Sequence, residues 1–113
     1  MRVEAAKLLV DARNAGRAVL EFIEGKSLSD YRADLLLRSA VERQMFILGE
    51  ALSQLRTRDP AVFERIPDAR RIVGFRNLLA HGYGQVDDGR VWDIVENSLP
   101  QTLSCIEEML NEC

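Results

Sequence analysis

The sequence predicts an all-α fold, an antiparallel bundle of four main helices joined by short loops. Three observations predict it. Apolar residues recur every three or four positions through most of the chain, no stretch alternates apolar and polar residues as a half-buried strand would, and the breaks between periodic runs carry glycine, proline or capping residues. At 113 residues, positions 1–113 fit one domain, long enough to bury a core without disulfide or metal support.

The first helix is expected from Arg2 to about Glu24. Its apolar positions are Ala5, Leu8, Leu9, Ala12, Ala15, Val19, Phe22 and Ile23, and Gly25 supplies the stop. Ser27-Leu28-Ser29-Asp30 then places a serine three residues ahead of an acid, a capping-box start for a second helix. That helix is expected from about Asp30 to Arg56, because the span has no proline and a continuous stripe from Leu37 through Val41, Leu48 and Leu52 to Leu55. Leu35, Leu36 and Phe46 widen its apolar face, which fits either a second protein surface or a central helix packed on two neighbours.

Asp59-Pro60 and Pro67-Asp68 each read as the start of a helical turn with proline in its first turn. Ile66, Ala69, Ile72, Val73, Leu79 and Ala80 carry a third helix up to His81, where Gly82 and Gly84 end it. Asp87-Asp88-Gly89 is a turn able to cap the fourth helix, whose apolar period runs from Val91 to Leu110. Pro100 lies inside that run and is expected to kink or split it.

Composition narrows the function classes. With 47% hydrophobic and 29% charged residues the chain reads as soluble and globular, not disordered or membrane-embedded. Charges every few residues from Arg2 onward leave no apolar run for a signal peptide or a span, so a cytoplasmic protein without membrane partners is expected. A net charge of −3 argues against coating nucleic acid by bulk electrostatics. Charge is uneven, however: Arg56, Arg58, Arg65, Arg70, Arg71 and Arg76 face only Asp59, Glu64 and Asp68, whereas five acids and no Lys or Arg follow Val91. Solvated helix faces are the ordinary reading of such a run. Cys105 and Cys113 are eight residues apart on one expected helix, about 12 Å between Cα atoms, too far for a disulfide.

The chemistry converges on Arg76-Asn77-Leu78-Leu79-Ala80-His81-Gly82-Tyr83, which contains the single histidine of the chain. A glycine-rich phosphate loop, an HExxH pair and clustered aspartates are all absent from the sequence, so neither nucleotide hydrolysis nor metal-dependent catalysis is supported and no cofactor is expected. An arginine and a histidine suit phosphodiester cleavage in RNA. There the 2′-hydroxyl is an internal nucleophile that needs a base, and the phosphate needs a cation as charge builds. Asn77 and His81, four apart, share a helix face. Arg76 and His81 lie roughly 140° apart around an ideal helix, so they meet at one reacting group only if the helix loosens near His81 or if two copies combine their groups. Histidines with purely structural hydrogen bonds are common, and the residues alone leave that reading open.

The spacing of Arg76, His81 and Tyr83, with the polar Asn77 after the arginine, resembles the signature of the HEPN superfamily, specifically its HepT-like toxins. Ile47-Leu48-Gly49-Glu50-Ala51, Val86-Asp87, Val91-Trp92 and Leu99-Pro100 add to a resemblance over nearly the full length; the family's frequent tryptophan after the proline before the third helix is replaced here by Asp68. The resemblance implies a metal-independent endoribonuclease with its site at a homodimer interface. Arg76 would bind phosphate, His81 would act as general base or acid, and Asn77 would orient the site. It also implies a nucleotidyltransferase antitoxin of the MntA type as partner, which neutralises the toxin by moving AMP from ATP onto Tyr83. A non-catalytic HEPN module that pairs with a nucleotidyltransferase is the alternative.

Overall fold

The computed structural model describes residues 1–82 and 86–112. Seven helices follow one another: α1 (Val3–Ile23), α2 (Leu28–Ala33), α3 (Leu35–Arg58), α4 (Pro60–Glu64), α5 (Ala69–His81), α6 (Asp88–Asn97) and α7 (Leu99–Asn111). Among the described residues there is no strand. The all-α bundle expected from periodicity is therefore the fold. Its main helices are α1, α3, α5 and the α6–α7 pair, with α2 and α4 as short connecting turns.

The middle of the bundle is α3. It packs on α1 along one side and on α5 along another, with α2 and α4 at its two ends; α7 covers α1, and α6 joins α7 to α2. Val41, Met45, Leu48, Leu52 and Leu55 of α3 are fully or almost fully buried, and they meet Leu9, Ala12 and Val19 of α1 and Ile72, Val73 and Phe75 of α5 in one core. Burying a leucine, valine or phenylalanine side chain contributes roughly 1.5–3 kcal/mol each, so this seam holds the helix that carries the candidate site.

Helix boundaries follow local chemistry. The capping box forms as the sequence suggests: Asp30 N donates to Ser27 Oγ at 3.1 Å and Ser27 N donates to Asp30 Oδ2 at 2.9 Å. Gly25, past the end of α1, has φ +73°, the left-handed conformation that glycine adopts without a Cβ penalty. Asp59 caps α4 through Val62 N, with Pro60 in the first turn, and Asp87 accepts from Gly89 N at the start of α6.

The expected second helix requires correction. It is two helices, broken at Asp34, whose backbone is extended (φ −123°, ψ 100°) and whose carboxylate accepts from Leu37 N at 3.1 Å. Aspartate competes well for the free N–H groups of a helix start, and here that local bond interrupts a run whose apolar period continues across it. The start of α5 also differs. Pro67 stands before the helix, and Asp68 is its N-cap in the left-handed conformation (φ 60°), with no side-chain capping bond. The split at Pro100 appears as expected, with Ser98 between α6 and α7 and the proline in the first turn of α7.

Candidate active site on the second half of helix α5

The first half of α5 is scaffold: Ala69, Ile72, Val73 and Phe75 are buried. From Arg76 onward the helix rises out of the core. Arg76 is half-buried, with 22% of its side chain exposed, and Asn77 and His81 are exposed. The helix stays closed to its end, where Gly82 N donates to Leu78 O at 2.6 Å. Arg76 and His81 therefore keep the different faces that an unbroken helix gives them. Asn77 and His81 share the outer one.

The guanidinium of Arg76 is engaged from several directions. Nη2 donates to Glu50 Oε2 in an ion pair, Nη1 donates to Asn77 Oδ1 at 2.8 Å, and the group sits over the Phe46 ring at 5.3 Å from its centroid. Such a stack adds an electrostatic attraction between cation and ring face. Glu50 is held in turn by Gln54, whose Nε2 donates to Oε1 at 3.3 Å. The hydrogen bond from Arg76, and then that from Gln54, hold the Glu50 carboxyl below the usual carboxylate range. Arg76 Nε is buried and has no partner among the described residues.

This arrangement depends on Gly49. A Cβ there would stand 2.3 Å from Arg76 Cβ and 2.9 Å from its Cγ, so the arginine stem crosses α3 through the space that a side chain would fill. Beside Glu50 opens a groove of about 600 Å³ between α1 and α3, whose walls include Lys7, Asp11, Arg43, Gln44 and Phe46. Phe46 also borders a smaller cleft of about 280 Å³ with Leu79 and Val86. Phe46 is thus no free apolar surface: Arg43 and Arg76 both lie against its ring. Leu35 and Leu36, in contrast, are 69% and 80% exposed at the start of α3.

Most of the arginine-rich stretch is internally matched. Arg65 pairs with Glu112 at 3.1 Å, Arg71 with Asp93 at 2.5 Å and Arg70 with Glu64, while Arg56 and Arg70 both lie over the Phe63 ring. The acids that sequence placed far downstream return to the arginines in space, which supports the solvated-face reading of that run. Tyr83, the expected modification target, lies outside the described residues, as do Gly84 and Cys113. Among the described residues no group of three His, Cys, Asp or Glu side chains is placed to hold a metal ion.

Sequence reasoning gave Glu50 and Gly49 no role in the site and read Phe46 only as part of the wide apolar face of the second helix. Glu50 is 26 positions from Arg76, and only the stretch Ile47–Ala51 within the family resemblance pointed toward it.

A protein from Methanocaldococcus jannaschii bearing the name "Putative RNase" is 28% identical over 99 residues, 88% of this chain and 90% of its own. One from Caldanaerobacter subterraneus subsp. tengcongensis, also named "Putative RNase", is 27% identical over 94 residues, 83% of each chain. No solved structure matches the chain significantly. The model of the family described as "Ribonuclease HepT-like" matches residues 12–109, nearly the whole bundle and all of α5, and the chain belongs to that HepT-like ribonuclease family of the HEPN superfamily.

Proposed function

We propose that the protein is a toxin that cuts RNA internally without a metal ion, using Arg76 and His81 at a homodimer interface. The observation that carries this reading is the Arg76 guanidinium, half-buried and oriented by its neighbours beside an exposed face bearing Asn77 and His81. Each terminal nitrogen of a guanidinium has two N–H groups, and each here spends one on the protein, so one on each remains for phosphate oxygens. Because α5 is unbroken through His81, one chain holds its arginine and histidine on different faces, and a second copy supplies the missing combination. Leu35 and Leu36 offer apolar surface for that association.

In this mechanism one His81 takes the proton of the 2′-hydroxyl, and the 2′-oxygen attacks phosphorus while Arg76 stabilises the added charge. The bond to the 5′-oxygen breaks, and the partner's His81 returns a proton to it. A 2′,3′-cyclic phosphate remains. Asn77 fixes the outer edge of the arginine. The cell silences the toxin through a nucleotidyltransferase antitoxin that transfers AMP from ATP to Tyr83, placing a bulky, negatively charged group two residues from His81. The site of action is the cytoplasm; among the described residues no helix is long and apolar enough to cross a membrane.

The test is cleavage of RNA by the isolated chain in excess chelator. Cutting is expected to persist and to leave a cyclic phosphate, with His81→Ala and Arg76→Ala each slower by about 10²–10⁴, the usual contribution of a positioned acid–base or charge-stabilising group. Loss of activity in chelator, or equal cutting of a 2′-deoxy substrate, would refute the mechanism. A second reading has one observation in its favour: Glu50 engages Arg76 as the partner in a structural ion pair would, which suits a binding module that does not cut RNA. Growth arrest on expression that His81→Ala fails to relieve supports that module. Incubation with the nucleotidyltransferase and ATP, followed by mass mapping, tests Tyr83; the adduct is expected on wild type and absent from Tyr83→Phe.

A further inference from the structure

We infer that Glu50 is a positioning residue for the proposed cleavage reaction, a carboxylate that sets the direction in which Arg76 presents its free N–H groups to the scissile phosphate. The inference rests on the ribonuclease reading above and adds a residue from a different helix to it.

Two roles are open to a carboxylate against a phosphate-binding arginine: it can compete with the phosphate, or it can orient the arginine. A competitor would be a mobile acid on an otherwise unrestrained guanidinium. Glu50 is anchored from behind by Gln54, one turn further along α3, and the arginine it touches is fixed on other sides as well. Phe46 lies against the guanidinium, Asn77 takes Nη1, and the stem passes through the gap at Gly49. Such a group retains little freedom except rotation of its planar head. An anchored carboxylate on Nη2 removes that freedom.

The ion pair is also only partly shielded, with 22% of the Arg76 side chain and 37% of the Glu50 side chain exposed. A surface-type pair of this kind contributes modestly to folding, because solvent screens it. Its larger effect is therefore on geometry at the reacting centre, where a misplacement of about 1 Å costs about a hundredfold in rate.

The experiment compares wild type, Glu50→Gln, Arg76→Ala and the double variant in RNA cleavage, with nitrogen-15 NMR of the arginine side chains and thermal melts on the same samples. Glutamine keeps the shape and one acceptor but loses the charge. The expected result is a fall in kcat of about a hundredfold with KM nearly unchanged, together with averaging of Arg76 Nη signals that are expected to be separate in wild type. On the Arg76→Ala background, Glu50→Gln is expected to change kcat no further, since the carboxylate acts through the arginine. Should Glu50→Gln melt too low to assay, Gln54→Met removes the anchor of the carboxylate and is expected to give a smaller loss, again in kcat alone.

Cleavage at the wild-type rate by Glu50→Gln would overturn the inference, and so would faster cleavage, which marks a competitor. Equal losses with and without Arg76 would do the same. If the wild-type protein leaves RNA intact, the ribonuclease reading fails, and the NMR signals still decide whether Glu50 holds Arg76.

Discussion

The two halves of α5 treat the same residue type in opposite ways. Arg71, on the first half, reaches Asp93 at 2.5 Å and Ser98 Oγ at 2.7 Å, both on the α6 side of the bundle, and so ties the helix to its neighbour. Arg76, five residues later, also uses one N–H on each terminal nitrogen but turns onto α3, so that its remaining donors stand beside exposed Asn77 and His81. Around Arg71 lie buried apolar positions whose removal costs folding; around Arg76 lie polar groups whose removal costs little folding. One helix thus divides its length between anchoring and presenting, and the anchored half gives the presenting half a fixed frame.

The two halves meet at Phe75, a fully buried ring. Phe75→Ala is expected to lose about 3–5 kcal/mol in denaturant melts, a large share of a small domain's stability. His81→Ala should stay within about 0.5 kcal/mol of wild type in the same melts. A destabilised His81→Ala would move that residue from the presenting half to the scaffold.

Gly49→Ala probes the Arg76 half from the α3 side of the contact. Alanine favours a helix, yet the new Cβ would fall on the Arg76 stem close to its backbone, where no flexible tip can yield. A net loss of about 1–3 kcal/mol is expected, with α3 and α5 forced apart. An unchanged or raised melting temperature would show that the arginine reaches Glu50 by another path.

The smallest effect is electrostatic. Burial, and then the charge of Asp88, push the Glu42 carboxyl above its ordinary value, against the pull of Arg38. A raised carboxyl disfavours the folded state once ionised, so Glu42→Gln should stabilise the protein at neutral pH. The gain should fade as pH falls through the folded-state pKa of Glu42 toward that of an unfolded glutamate, where wild type is protonated as well. A rise of no more than about 4 °C is expected at pH 7. A gain that grows on acidification would reverse the assigned sign.

What could be read in advance follows from the range of the interactions. The capping box at Ser27, the stop at Gly25 and the split at Pro100 are written within four residues and appear in the structure. Arg76, Asn77 and His81 were legible as a group because one helix carries them. The break at Asp34 was not, although its capping bond to Leu37 N is just as local, because the apolar period continues across it and hides the stop. Glu50 was invisible as a partner since 26 residues of chain must fold before it meets Arg76, and the cover over Phe46 depends on the same closure.

The turn before α5 has a consequence for how the molecule opens. Gln101 Nε2 donates to Asp68 Oδ2 at 2.7 Å, Thr102 Oγ1 to Pro67 O at 2.7 Å, Cys105 Sγ to Arg65 O at 3.4 Å, and Arg65 pairs with Glu112. Successive turns of α7 and its C-cap therefore grip Arg65, Pro67 and Asp68 ahead of α5, and Asp68 takes its left-handed backbone inside that grip. Amide hydrogens along α7 and those at the start of α5 are therefore expected to open together and to exchange with solvent at a common free energy, which hydrogen exchange measures. Fraying of the last helix is then expected to change the direction of the helix bearing His81, although among the described residues α7 makes none of the contacts given for Arg76.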